Sequence, residues 1–229
     1  MDFKNEFSLE NKVVIVTGGT GILGEAFING ITQAGASVGV LGRNEKVADE
    51  RVSNIRKAGG KAISLIADVT NEEQLVKAKE KILGAYGKID GLVNAAGGNM
   101  PGAVVQNDED IFDLNFKALK EVMDLNLFGT ILPTQIFGEA IKENSSGSIV
   151  NISSMASQRV ITKVLGYSMA KTAIDAYTRW FAVELGNRYG DKIRMNAIAP
   201  GFFLTEQNRK LLTDEDGNMT KRGELVVKN

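Results

Sequence analysis

The 229-residue chain contains no cysteine and no histidine. Without cysteine there is no disulfide, no thiolate nucleophile and no Cys-ligated metal. Without histidine, Ser-His-Asp chemistry and histidine metal sites fall away. Acid–base work is left to Tyr, Lys, Asp or Glu, and no metal site is expected. A charge excess is also missing: 27 Lys+Arg stand against 28 Asp+Glu, scattered among one another, for a formal net charge of -1. That is the pattern of a solvated surface and leaves no electrostatic footprint for nucleic acid. No apolar run is long enough to span a bilayer. Met1 to Lys12 is polar and charged, without a signal-peptide core, so no membrane association and a cytoplasmic location are expected.

The length suits one domain, and a composition that is 43% hydrophobic and 24% charged is ordinary for a globular fold with a real core. Strand and helix signals alternate. The short β-branched run Lys12 to Val16 predicts a first strand, followed by a glycine loop at 17–24 and a helix to about Ala34. Ser37 to Leu41, Ala62 to Ala67, Ile89 to Val93, Ser148 to Ile152 and Lys192 to Ile198 predict five more strands. Between them lie a charged helix at 44–58, a helix capped by Asn71 and ending near Tyr86, a long apolar-periodic segment at 116–142, and a helix at 165–189. This order implies a doubly wound α/β fold of Rossmann type: a parallel sheet with helices on both faces, α/β/α in three layers, in one domain over 1–229.

Thr17-Gly18-Gly19-Thr20-Gly21-Ile22-Leu23-Gly24 joins the first strand to the first helix, and Gly19, Gly21 and Gly24 fit Gly-x-Gly-x-x-Gly. Such glycines permit a tight turn, a close approach of backbone to pyrophosphate, and close packing of helix on strand. The helix N-terminus then faces the anion. At the tip of the second strand an acid would accept from a ribose 2′-OH, whereas an Arg can hold a 2′-phosphate. Here the tip reads Leu41-Gly42-Arg43-Asn44, with no acid. NADP(H) is therefore favoured, with Arg43 on the 2′-phosphate; NAD(H) is the alternative, with Arg43 stacked on adenine or simply at the surface.

Tyr167 and Lys171 lie four residues apart, on one face of the predicted helix. A nearby cation favours the phenolate, so Lys171 is expected to lower the tyrosine pKa and make Tyr167 a usable proton donor and acceptor.

Together these features resemble the short-chain dehydrogenase/reductase family, from Leu9 to about Thr205. The resemblance rests on the glycine loop, Asn94-Ala95-Ala96-Gly97, Asn126, Ser154, Tyr167 with Lys171, and Pro200-Gly201 with Thr205. It implies an NAD(P)-dependent oxidoreductase that interconverts a ketone and a secondary alcohol. Ser154, thirteen residues before Tyr167, would be the catalytic serine, with Ser153 its near-miss neighbour. Tyr167 would protonate the carbonyl oxygen, Ser154 would hold it, Lys171 would bind the nicotinamide ribose, and Asn126 would hold a relay water. Thr17, Gly18, Gly19, Gly21, Ile22, Leu23, Gly24 and Asn94 to Gly97 would line the cofactor. Asp68 and Val69 would meet the adenine; Pro200, Gly201 and Thr205 would border the nicotinamide.

The glycine spacing Thr-Gly-x-x-Gly-x-x-Gly departs from that of most short single-domain members. With Gly97-Gly98-Asn99-Met100-Pro101 and Asp124 to Thr130, it resembles the D-mannonate oxidoreductase (fructuronate reductase) subgroup. That implies a keto group on a hexuronate-type sugar acid, with Asn99, Ser154, Arg159 and Tyr167 on the substrate and Arg159 as the carboxylate partner. Gln158 and Lys163 are further candidates, and Phe202 and Phe203 would wall the pocket. Family members continue into one more helix and strand past Asn229, so a truncated C-terminus is expected. The resemblance also implies a homo-oligomer, dimer or tetramer, through helices at about 116–142 and 165–189. Two alternatives stay open: a reductase of another small carbonyl (a gluconate type, an acyl-carrier ketone or a steroid ketone), and a non-catalytic dinucleotide-binding protein.

Overall fold

The computed structural model describes residues 7–106, 108–202, 209, 212–214, 216–221 and 223–224. Its chain divides into two compact units, 1–199 and 200–229. The first carries six strands: β1 (Val13–Thr17), β2 (Ser37–Gly42), β3 (Lys61–Ile66), β4 (Gly91–Asn94), β5 (Gly147–Ile152) and β6 (Ile193–Ile198). They form one sheet in the order β3-β2-β1-β4-β5-β6, with every pairing parallel. The six predicted strands are all present, with ends shifted by one or two residues.

Six α-helices connect them: α1 (Ile22–Gln33), α2 (Glu45–Lys57), α3 (Glu72–Tyr86), α4 (Phe116–Met123), α5 (Gly129–Glu143) and α6 (Leu165–Tyr189). Strand alternation sorts the side chains. Val14 and Val16 of β1, with Val38 and Val40 of β2, pack beneath Ile28 of α1 and Ala48, Val52 and Ile55 of α2. Val13 and Ile15 face the other way, into a core built with Leu75 and Ile82 of α3, Phe137 and Ile141 of α5, and Leu185 of α6.

Local chemistry sets the helix starts. Asn44 caps α2 by accepting from the Val47 N–H at 3.2 Å, and Asn71 caps α3 from the Gln74 N–H at 3.0 Å. Asn115 caps α4 in the same way. The segment predicted as one run at 116–142 is two helices, α4 and α5, joined by a π turn over Asp124–Phe128. The apolar period continues through the junction, so the pattern alone does not reveal the extra residue. In the second unit, an antiparallel bridge pairs Thr213 with Met219 across a turn held by Asp214.

Candidate active site

Strand β1 runs into the glycine loop at the point between β1 and β4 where the strand order reverses direction, the crevice in which open α/β sheets bind ligands. Gly18 carries the turn, at φ 64°, and a Cβ there would lie 2.7 Å from the Ala95 carbonyl oxygen. A Cβ on Gly24 would collide with the Gly18 carbonyl, so α1 reaches the loop only because position 24 has no side chain. Gly21 is the N-cap of α1 and offers no side-chain cap. The first N–H groups of α1, at Ile22, Leu23 and Gly24, are therefore first-turn donors pointing out of the helix end. A cradle with no room for side chains and with free amide donors fits the pyrophosphate of a dinucleotide. Thr17 serves from inside: its hydroxyl oxygen accepts from the N–H groups of Ala95 and Ala96, both at 3.1 Å, and ties the two loops together.

At the adenosine end, Arg43 is 73% exposed and stands 3.5 Å from Asp68. Burial presses the Asp68 carboxyl upward, but the Thr70 N–H and hydroxyl, then Arg43, bring it below its usual value. The Val69 side chain is buried against Gly129, so only its main chain faces the loop edge. The Asn94 side chain is turned inward. It donates to Thr134 and Asn151, both at 2.9 Å, and Asn151 in turn donates to Thr178, forming a buried polar brace between β4, β5, α5 and α6. Any part Asn94 takes in a cofactor cradle is therefore through its backbone.

The acid–base residues converge from two elements, the turn after β5 and helix α6, which carries both Tyr167 and Lys171. Ser154 follows β5 and caps a single 3-10 turn (Met155–Ser157), its oxygen accepting from the Ala156 N–H at 3.1 Å. Its hydrogen bond to Tyr167 is the contact that favours the phenolate. The neighbouring Ser153 is buried and faces Ser157 and the Lys171 carbonyl, which separates the two serines clearly. Lys171 is 4% exposed; its ammonium donates to the Ile152 carbonyl at 2.7 Å and lies 5.5 Å from the Tyr167 ring centre.

The electrostatics correct one expectation. Burial pushes the Tyr167 phenol above its ordinary value, and the bond from Ser154 offsets only part of that. Lys171 is itself desolvated, brought down to about 8, with the nearby Asp175 carboxylate opposing the drop. Burial and Ser154, and not Lys171, set the phenol's shift. The buried Asp175 accepts from Gln158 at 2.7 Å, so Gln158 is engaged away from the cleft.

Asn126 is fully buried in the π turn and reaches the loop after β4. Its amide donates to the carbonyls of Gly98 (2.7 Å) and Val122 (2.9 Å), and its carbonyl accepts from the Gly98 N–H (3.0 Å). A Cβ on Gly97 would stand 2.6 Å from Asn126 Oδ1 and 3.3 Å from Lys171 Nζ, so these groups meet across a bare backbone. Asn99 presents an enclosed Oδ1 with no hydrogen-bond partner among the described residues. Arg159 and Lys163 line a separate cavity of about 990 Å³ with Val105, Ile111 and Leu165; neither Ser154 nor Tyr167 lines it. Pro200 and Gly201 belong to the second unit, and Thr205 and Phe203 lie outside the described residues. No group of acidic residues able to hold a metal occurs among the described residues.

One contributor escaped the sequence reading. Arg51, two turns into a helix that reads as a charged surface element, donates to the carbonyls of Gly19 and Gly21 and pairs with Glu25.

Residues 12–216 match the family model for short chain dehydrogenases. The chain is 37% identical over 228 residues to the uncharacterized oxidoreductase UxuB of Bacillus subtilis (strain 168), covering 96% of this chain and 81% of that one. It is 31% identical to 2-dehydro-3-deoxy-D-gluconate 5-dehydrogenase of Dickeya dadantii (strain 3937), covering 93% and 79%. Among solved structures, a Haemophilus influenzae protein provisionally called a D-mannonate oxidoreductase, with bound NAD, superposes with a TM-score of 0.88 at 35% identity, over 98% of this chain and 82% of that chain. With a family model spanning most of its length, the chain belongs to the short chain dehydrogenases, oxidoreductases that use a nicotinamide dinucleotide.

Proposed function

We propose that this chain interconverts a ketone and a secondary alcohol on a sugar acid of the fructuronate/mannonate type. The observation that carries the reaction class is the convergence of Ser154, Tyr167 and Lys171 beside a glycine cradle shaped for a dinucleotide. When bound, the nicotinamide supplies the hydride in reduction and accepts it in oxidation. Thr17, Gly18, Gly19, Gly21, Ile22, Leu23 and Gly24 hold the pyrophosphate end, with Asp68 and Val69 near the adenine and Ala95 to Gly97 along the cleft. Pro200, Gly201 and Thr205 keep the nicotinamide side by analogy with the family.

In reduction, Ser154 donates a hydrogen bond to the substrate carbonyl oxygen, and Tyr167 gives that oxygen its phenolic proton. Burial suits this role, because it keeps Tyr167 protonated at neutral pH. Lys171 spends one N–H on Ile152 and keeps two for a ribose diol. With its pKa at about 8, it releases and regains a proton close to neutrality, and it would hold the nicotinamide ribose when the cofactor is bound. Asn126 keeps one lone pair on Oδ1 for a relay water.

The sugar-acid class is supported by the names of two relatives and by Asn99, whose unpartnered Oδ1 suits a substrate hydroxyl. Arg159 remains the proposed carboxylate partner. We favour NADP(H), because Arg43 is largely exposed and only loosely paired with Asp68. The NAD in the Haemophilus relative favours NAD(H) as the second reading. Exposed Leu165, Met169, Trp180 and Val183 fall on one face of α6, which supports association with a second copy of this chain. Cytoplasm is the proposed location.

The test is the initial rate of NADPH and NADH oxidation with D-fructuronate. Turnover with a higher kcat/KM for NADPH meets the proposal; the reverse ratio assigns NAD(H). Silence with both cofactors rejects this substrate. Tyr167→Phe is expected to abolish turnover and spare cofactor binding. Equal loss of both would contradict the role given to Tyr167.

A further inference from the structure

Arg51 is 14% exposed and donates to three acceptors on two other segments. Nη1 donates to the carbonyls of Gly19 and, at 2.9 Å, of Gly21; Nη2 donates to Glu25 Oε2 at 3.0 Å. A trans peptide holds its C=O and N–H on opposite sides. The Gly19 carbonyl shares a peptide with the Thr20 N–H, and the Gly21 carbonyl shares one with the Ile22 N–H. The Gly21 carbonyl also accepts from the Glu25 N–H at 3.0 Å, so the helix itself sets the Ile22 N–H and Arg51 reinforces it; at Gly19 the guanidinium draws the carbonyl toward α2, which sends the Thr20 N–H the other way. Two other loop amides are already committed: Gly19 N–H donates to Leu41 and Gly21 N–H to Gly18.

We propose that Arg51 is a positioning residue for the diphosphate of the dinucleotide: its Nη1, held between the Gly19 and Gly21 carbonyls, fixes the glycine loop in the conformation whose amides face the anion. The proposal rests on the dinucleotide occupying this loop. Nη1 alone makes the clamp, giving one N–H to each carbonyl, while Nη2 is left to Glu25. Glu25, on the first turn of α1, neutralises the guanidinium and takes no part in the clamp. A brace that merely ties α1 to α2 would instead depend on Glu25 as much as on Arg51.

The experiment is equilibrium binding of NADH and of NADPH, followed by their fluorescence on the full chain, beside cofactor KM and kcat. Arg51→Met removes two charge-assisted bonds to carbonyls, so Kd and KM are expected to rise roughly tenfold or more. The factor is the same for NADH and NADPH, because the diphosphate is common to both. The kcat at saturating cofactor stays within about twofold, since the loop acts on binding and not on the reacting atoms. Arg51→Lys, which protects the fold, is expected to raise Kd by an intermediate factor. Glu25→Gln is expected to leave Kd unchanged or lower it, because it unmasks positive charge beside the anion. Unchanged Kd in both Arg51 variants would overturn the proposal, as would a Glu25→Gln loss equal to that of Arg51→Met. Failure of the unaltered chain to bind either dinucleotide would overturn the cofactor reading and this inference with it.

Discussion

Lys171 makes a stability prediction that is independent of any substrate. Its ordinary pKa of 10.5 falls to about 8 in the folded chain, because burial penalises the ammonium more than Asp175 compensates. Between those values the unfolded chain holds a proton that the folded chain has released. Folding stability therefore rises with pH through that window, and below about 8 the folded chain carries the full penalty of a buried charge. A shift of this size corresponds to about 3 kcal/mol in total, of which about 1 kcal/mol is recovered between pH 7 and pH 9. In Lys171→Met the penalty disappears at every pH, at the loss of one hydrogen bond to Ile152. The inactive variant should thus be the more stable protein at pH 7, and its advantage should narrow by about 1 kcal/mol at pH 9, or roughly 2–4 °C in Tm for a chain of this size. Thermal and urea unfolding of both proteins at pH 7, 8 and 9 measure this directly. The phenol of Tyr167 does not interfere between pH 7 and 9, since burial only raises it from its ordinary value of 10.0. Parallel pH profiles, or a gap that widens toward pH 9, would refute the reasoning and make Asp175 the dominant influence on Lys171.

Two further outcomes follow from packing. Gly97→Ala would drive a methyl to within 2.6 Å of Asn126 Oδ1 and 3.3 Å of Lys171 Nζ; a displacement of these groups on the order of 1 Å should lower kcat about 100-fold, with circular dichroism unchanged. Asn151→Ala removes a partner from both Asn94 and Thr178 inside the sheet–helix interface, and should cost about 2–4 kcal/mol in urea unfolding, well above a surface substitution.

Much of this molecule was readable before its coordinates. The β-branched runs of Val13 to Val16 and Ser37 to Leu41, each followed by a glycine or an Asn cap, are local signals, and local signals translate directly into β1, β2 and the starts of α2 and α3. Tyr167 and Lys171 were readable for the same reason, since helical spacing alone puts them on one face. What sequence could not supply was burial and long-range partners. The direction of the Tyr167 shift depends on how deeply its ring is enclosed. Arg51 meets the glycine loop from thirty residues away, and nothing in a charged helix marks it out. Gln158 and Asn94 are polar residues near the cleft in sequence whose side-chain amides donate to Asp175, Thr134 and Asn151 instead.

The π turn at Asp124–Phe128 stands between α4 and α5. Such a turn holds one residue more than the α-helical ladder accommodates, and it survives mainly where function needs it. Deleting one residue there would fuse α4 and α5 into a regular helix and rotate everything beyond it by about 100°. Asn126 would lose its register with Gly98 while the helix itself improved. The turn therefore gives up helical regularity for the position of one buried amide, the Asn126 side chain against Gly98.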